Sequence, residues 1–407
     1  MSRGPAVHRT HVPGPVARWL EARVRSRLRH MERGVLWVEP EGGAPRAYGG
    51  REEGVEARAR IHHPDAWAAM ALRGTIGAGE AYAHGLWSSP DPEAVVRLLL
   101  QNEAVLGGLD SGLARWARRL LVGQHRERTN TPRGARRNIE EHYDLGDDLF
   151  TLVLDESMCY SCAWYGPGVE GLAAAQDQKL ERIVQRLAVQ PGQRVLEVGT
   201  GWGALAVSIA QCSGAHVTTT TISPSQRAAA LARIAAAGLS RQVEVLAQDY
   251  RHLEGTYERI VSIEMVEAVG ADRYDEYFGA LARHLAPGGR ILLQAITIDP
   301  RHYERARLGV DFIQRYIFPG SNIPSVPALE AAAARAGLRL VERDDWTAHY
   351  PPTLRAWAQR LRAAAPEVRA LGFDDTFLRL WDFYFAYCAG GFSERRIGLE
   401  HLVFEPA

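Results

Sequence analysis

The sequence predicts an α/β protein: a doubly wound, seven-stranded sheet preceded by a smaller mixed N-terminal domain. Three observations carry this. Strand and helix patterns alternate from about residue 138 onward, a glycine-rich turn follows the first strand of that series, and a polar Arg/Thr/Gly-rich stretch separates it from what precedes. Within the alternating part, Arg194–Val198, His216–Thr220, Val243–Leu246, Arg259–Ile263 and Arg290–Ala295 read as strands. Helical patterns at Asp177–Ala188, Gly203–Cys212, Pro224–Ala237 and Arg273–Leu285 lie between them. Such alternation implies parallel strands with ligands at their C-terminal ends. Leu338–Arg343 and Leu399–Phe404 complete seven strands, and Val326–Ala336, Leu354–Ala364 and Asp374–Ala389 read as further helices.

The 407 residues, 46% hydrophobic and 24% charged, suffice for two domains with substantial cores. Basic and acidic residues balance at 48 each, which argues against a nucleic-acid binder held by bulk charge. The balance hides an asymmetry: residues 1–140 carry 22 arginines against 15 acidic residues, so a basic front third precedes an acidic body. Val16 to Met31 places Leu20, Val24 and Leu28 on one face amid Arg18, Arg23, Arg25, Arg27 and Arg29, a basic amphipathic helix. Gly34–Arg60 reads as short strands, Pro64–Leu100 as helical, and Leu113–Leu121 as a second basic amphipathic stretch. The division is therefore an N-terminal domain at 1–121, a linker at 122–137 and a catalytic domain at 138–407. No segment has the apolar length of a signal peptide or membrane span, and four cysteines without a disulfide framework point to a reducing cytoplasm.

The strand Arg194-Val-Leu-Glu-Val198 runs into Gly199, Gly201 and Gly203 and then a helix. Glycines there permit a tight turn and close approach of the backbone to a ligand. A dinucleotide site would be satisfied by Gly199, Gly201 and Ala204, but it also wants a carboxylate about 20 residues on. That region is Val217-Thr-Thr-Thr-Thr-Ile222. The acid–x–G–x–G–x–G pattern of S-adenosylmethionine methyltransferases is met by Glu197, Gly199, Gly201 and Gly203, with the polar Gln248-Asp249-Tyr250 after the third strand. A methyltransferase is favoured over an oxidoreductase, and a purely structural turn is the plain alternative.

Ordered motifs then narrow the reading. His142-Tyr-Asp-Leu-Gly-Asp-Asp-Leu-Phe150, Tyr160-Ser-Cys-Ala163, Thr221-Ile-Ser223 with Gln226, Gln248-Asp249-Tyr250, Glu264-Met-Val-Glu-Ala-Val-Gly270, Tyr316-Ile-Phe-Pro319 and Cys388-Ala-Gly390 follow one another to the C-terminus. In these the chain resembles the cyclopropane-fatty-acyl-phospholipid synthase family, and its N-terminal third resembles the extra domain of phospholipid-acting members. The resemblance implies a class I methyltransferase (Rossmann-like) sheet. It also implies transfer of a methyl(ene) group from S-adenosylmethionine to the cis double bond of unsaturated phospholipid acyl chains. Tyr160, Ser161, the three glycines, Thr221, Ile222, Gln226, Gln248, Asp249 and Tyr250 would bind the cofactor.

Addition of a methyl group to an alkene leaves a carbocation, so the site must exclude water, stabilise positive charge and supply a base. The resemblance implies a bound bicarbonate as that base, held by backbone at Cys162 and Ile296 and by Glu267, Gln294 and Tyr350. Tyr143 would face the cation, and Cys388 would lie in the active site. Gln294 stands where many members have histidine, and Ala268 replaces another histidine. Loss of a different proton would give a methylene or methyl branch instead, and methylation of a lipid-like metabolite is the other alternative on the same fold. Cys159-x-x-Cys162 has no second pair, so no metal site is expected. The basic helices suit an anionic membrane surface, with Trp19 and Trp116 at the interface; their plain reading is a solvated face. The expected protein acts peripherally at the inner face of the membrane, binds no nucleic acid, and leaves room for a homodimer. A membrane-surface binding protein with a degenerate catalytic domain is the reading from another class.

Overall fold

Continuous apolar runs such as Val195-Leu196 and Ile291-Leu292-Leu293 can be satisfied only where both faces of a sheet are covered, and that is where they lie. The computed structural model describes residues 4–12, 14–40, 42–106 and 145–407. It divides into two compact units.

The second unit, Arg128–Arg307, Gly320–Ala356 and Ile397–Ala407, holds the larger sheet. Its strands are β5 (Arg194–Val198), β6 (His216–Thr220), β7 (Val243–Leu246), β8 (Tyr257–Ile263), β9 (Leu285–Ile298), β10 (Leu338–Asp345) and β11 (Ile397–Pro406). Their order is β10-β11-β9-β8-β5-β6-β7. β5 to β9 pair in parallel, whereas β11 runs antiparallel to both β9 and β10. Alternating residues serve opposite faces. Leu196 and Val198 join Phe278, Leu281, Leu329 and Phe404 in one core cluster. Val195 joins Ile183, Ile209, Ile234 and Val403 in the other. Helices Tyr274–His284 and Val326–Arg335 supply the first cluster; Leu172–Leu187, Ala204–Ser213 and Pro224–Ala236 supply the second. This is the expected doubly wound, seven-stranded sheet. Strand order reverses between β5 and β8, the kind of switch point outside whose strand ends ligands bind in open α/β sheets.

The first unit comprises Met1–Glu127, Leu308–Pro319 and Trp357–Arg396. Its four-stranded sheet has the order β2-β1-β3-β4, built from Arg33–Pro40 (β1), Arg46–Gly49 (β2), Glu52–Ile61 (β3) and Trp87–Ser88 (β4). The helix Gly14–Leu28 buries Ala17, Leu20, Val24 and Leu28, the face its spacing predicts. The grouping of the chain departs from a contiguous catalytic stretch at 138–407, because two later segments belong here. The helix Asp375–Ser393 is apolar over much of its circumference, and Phe383 packs within ring distance of Tyr82, Trp87 and Phe312. Burying those aromatics requires the N-terminal elements, a demand that adjacency in sequence does not reveal. The helix expected at Leu113–Leu121, the linker 122–137 and the motif residue Tyr143 lie outside the described residues.

Candidate active site

The expected cofactor residues cluster by topology. Gly199 directly follows β5, Thr221 and Ile222 follow β6, and Gln248 to Tyr250 follow β7, so all stand at C-terminal strand ends. Gly199, Gly201 and Gly203 have φ of 104°, 52° and 87°, the left-handed region that favours glycine. A Cβ on Gly201 would project into open space rather than into protein. This leaves backbone free to meet a ligand at the start of the helix Ala204–Ser213. The open glycine turn fits S-adenosylmethionine, which the turn, Thr221, Ile222, Gln226 and Gln248 would hold.

Several of these side chains are tied to one another first. Thr221 Oγ1 donates to Gln226 Oε1 at 3.0 Å, and Ser161 Oγ accepts from Lys179 Nζ at 2.9 Å. Lys179, the single lysine of the sequence, is fully buried. Asp249 caps a short turn and pairs with Arg251 at 2.6 Å, which holds its carboxyl below the usual range despite burial. Its side chain is thus engaged within the chain. Tyr160 and Trp202 both pack on Phe150, each with ring centroids 5.2 Å apart. Glu197, the acid of the glycine pattern, accepts from Thr219 Oγ1 at 2.6 Å, and Thr219 Oγ1 lies 2.7 Å from Thr200 Oγ1. Burial pushes Glu197 up to about 8, so it is largely protonated at neutral pH and ties β5 to β6 through Thr219, which itself meets Thr200 of the glycine turn.

The expected base site has a different occupant from the one foreseen. Cys162 N–H donates to Glu264 Oε1 at 2.9 Å, Gln294 Nε2 donates to the same oxygen at 2.7 Å, and Tyr350 Oη donates to Glu264 Oε2 at 2.5 Å. Ile296 N–H donates instead to Glu267 Oε1 at 2.5 Å. The expectation that Cys162, Glu267, Gln294, Ile296 and Tyr350 hold a free bicarbonate is not met by this donor set. Cys162, Ile296 and Tyr350 each have one hydrogen to give, and each is already engaged by a carboxylate of the chain.

Sequence reasoning quoted Glu264 inside a motif without assigning it a role. It directly follows β8, with a left-handed φ of 49° unusual for a non-glycine residue. It is partly buried, while Cys162, Gln294 and Tyr350 are buried. Burial raises its carboxyl above the ordinary value, opposed by the bonds from Tyr350, Cys162 and Gln294. Glu267, three residues on in the turn Val266–Ala268, is pushed up to about 8 by burial and by the negative charge of Glu264. Its Oε2 is buried without a hydrogen-bond partner among the described residues. His401 is a further residue that sequence reasoning missed. Its Nε2 lies 2.9 Å from Gln294 Oε1, and burial drives its pKa down, so it is neutral. Since Gln294 must turn its NH₂ toward the carboxylate, the network assigns His401 as the donor. Cys388 lies in the first unit, on the helix Asp375–Ser393, where burial raises its thiol.

Comparison with known proteins accords with this geometry. The family model for mycolic acid cyclopropane synthetase matches residues 130–402. The chain belongs to this family of S-adenosylmethionine-dependent methyltransferases. It is 40% identical over 345 residues to the tuberculostearic acid methyltransferase UfaA1 of Mycobacterium tuberculosis, covering 82% of this chain and 79% of that one. It is 36% identical over 348 residues to the cyclopropane-fatty-acyl-phospholipid synthase of Escherichia coli, covering 85% and 87%. Among solved structures it is similar to the mycolic acid cyclopropane synthase CmaA1 complexed with SAH and CTAB. The TM-score is 0.62 at 30% identity, over 66% of this chain and 97% of that chain. The glycine turn and strand-end loops are thus those of a cyclopropane synthase-type methyltransferase.

Proposed function

We propose that the protein methylates the double bond of unsaturated phospholipid acyl chains and closes the product to a cyclopropane. The observation that carries this is the match to the Escherichia coli phospholipid synthase. It spans more residues than lie between 130 and the C-terminus, and so takes in part of the N-terminal third. S-adenosylmethionine supplies an electrophilic methyl group, whose bond to sulfur breaks as the alkene π pair bonds to its carbon. The chain's own residues do the rest. The glycine turn at 199–203 and the loops after β6 and β7 hold the donor, and buried Trp202 lines the turn away from water. The Glu264 carboxylate directly follows β8 at the strand ends, where it would stabilise a developing positive charge more than water does.

The chain is proposed to reach its substrate from an anionic membrane surface. No helix among the described residues is long and apolar enough to cross a membrane. The helix Gly14–Leu28 exposes Val16 and Trp19 along with Arg18 and Arg23, and the Arg23 guanidinium lies over the Trp19 ring at 5.0 Å. Basic residues with an interfacial tryptophan suit anionic headgroups.

A second reading, formation of a methyl or methylene branch, is favoured by the 40% identity to a tuberculostearic acid methyltransferase. Both are tested by incubating the protein with S-adenosylmethionine and oleoyl phospholipid vesicles and analysing fatty acids by gas chromatography and mass spectrometry. A cyclopropane ring supports the first reading and a branch the second. Absence of any methylated acyl chain refutes both.

A further inference from the structure

We propose that Glu264 is the general base of this enzyme, a carboxylate built into the chain that takes the place of a free bicarbonate. The inference rests on the methyl-transfer reading above. It is carried by the convergence of three donors from distant parts of the sequence on one side chain: Cys162 N–H, Gln294 Nε2 and Tyr350 Oη. A planar carboxylate with two oxygens offers the same acceptor atoms as bicarbonate and satisfies the same donors. Its position is fixed at the backbone as well. Glu264 N–H donates to Gln294 O at 2.7 Å, continuing the β8–β9 ladder, while its φ of 49° departs from the extended strand before it. A non-glycine residue is held in that region only where its surroundings over-determine it. Glu264 is therefore a constrained residue within a polar network rather than a surface carboxylate folded over by chance.

The position also matches the chemistry. The residue after it, Met265, is the nearest neighbour of a Cβ built on Gly199, at 3.5 Å, so the Glu264 loop runs beside the cofactor turn. Oε1 accepts two hydrogen bonds and Oε2 one, which leaves Oε2 a lone pair for a proton. Burial raises the carboxyl above its ordinary value, in the direction a base working near neutral pH requires. Glu267, held largely protonated, adds no second full charge to compete for the proton. His401 positions Gln294, whose amide would otherwise be free to present its oxygen to the carboxylate.

The step balances. The π pair of the alkene forms one bond to the transferred carbon as its bond to sulfur breaks, leaving positive charge on the second alkene carbon. A C–H bond of that transferred methyl then breaks. Its proton goes to Glu264 Oε2 and its electron pair closes the ring to the second carbon. The cationic charge is cancelled by the carboxylate charge, and the carboxylic acid later returns its proton to water.

The test uses the full chain with S-adenosylmethionine and oleoyl phosphatidylglycerol vesicles in buffer stripped of carbon dioxide, with and without added millimolar bicarbonate. The wild type is expected to turn over equally in both. Glu264→Gln, which keeps the shape but cannot take a proton, is expected to lose roughly 10²–10⁴-fold in turnover while calorimetry shows S-adenosylmethionine still bound. Glu264→Gly suits the left-handed backbone and uncovers the donors, so it is expected to recover turnover on adding bicarbonate. Carbon-13 NMR with labelled bicarbonate supplies a readout independent of turnover: binding in Glu264→Gly and none in the wild type. A wild type that needs bicarbonate, or binds it tightly, overturns the proposal, as does near-normal turnover in Glu264→Gln. If the wild type methylates no acyl chain, the methyl-transfer reading has failed, and the NMR contrast still decides what fills the anion site.

Discussion

Replacing Tyr350 by phenylalanine removes one hydroxyl and leaves the ring, which makes it a clean probe of how the site sets its own pH range. In the structure that hydroxyl donates to Glu264 Oε2 at 2.5 Å and stabilises the ionised carboxylate. A hydrogen bond to a charged group is worth about 1.5–3 kcal/mol, so its loss should raise the Glu264 pKa further above its ordinary value. The sign follows from which form works. The base must be ionised, so kcat/KM rises with pH through the pKa of Glu264, and a higher pKa moves that rise to higher pH. The assay is kcat/KM against pH for wild type and Tyr350→Phe, using S-adenosylhomocysteine release on oleoyl vesicles. The variant should be slowed at low pH and approach wild type above its shifted limb. An acidic limb at the wild-type position, with unchanged kcat/KM at neutral pH, would refute the coupling of Tyr350 to the base.

Two other outcomes follow from separate parts of the molecule. Glu197 is raised to about 8 by burial, so its contribution to stability is complete below the unfolded carboxyl pKa and lost as pH rises toward 8. Glu197→Gln mimics the neutral acid, and its urea midpoint should vary less than that of wild type between weakly acidic and weakly alkaline pH. Equal slopes would show that Glu197 does not titrate with folding. At the N-terminus, Trp19→Ala combined with Arg23→Glu should weaken sedimentation with anionic vesicles and leave methyl transfer to detergent-dispersed substrate unchanged. Equal binding of wild type to neutral vesicles at high salt would remove the electrostatic account.

The order of elements was legible in the linear sequence because it depends on local chemistry. Local strand patterns marked all seven strands of the larger sheet, and β5, β6 and β7 begin and end at the residues their patterns predict. The glycine turn was equally readable, since a left-handed backbone at 199, 201 and 203 demands that residue type. The apolar face of Gly14–Leu28 followed from its spacing alone.

What the sequence could not decide was which polar groups meet. Cys162, Gln294, Tyr350 and Glu264 lie up to 188 positions apart, and only the pairing of β8 with β9 and the return of the chain after β10 bring them to one carboxylate. Glu264 and Glu267 both sit in one short motif after an apolar strand, so spacing alone gives no reason to prefer either as the base. Tertiary structure separates them through unequal solvation: one carboxylate receives three donors and the other keeps an unpartnered oxygen in a buried turn. The grouping of Asp375–Ser393 with the N-terminal elements has the same origin. Local pattern fixes where a strand or a tight turn forms, while burial and hydrogen-bond satisfaction between distant segments decide which side chain holds the charge.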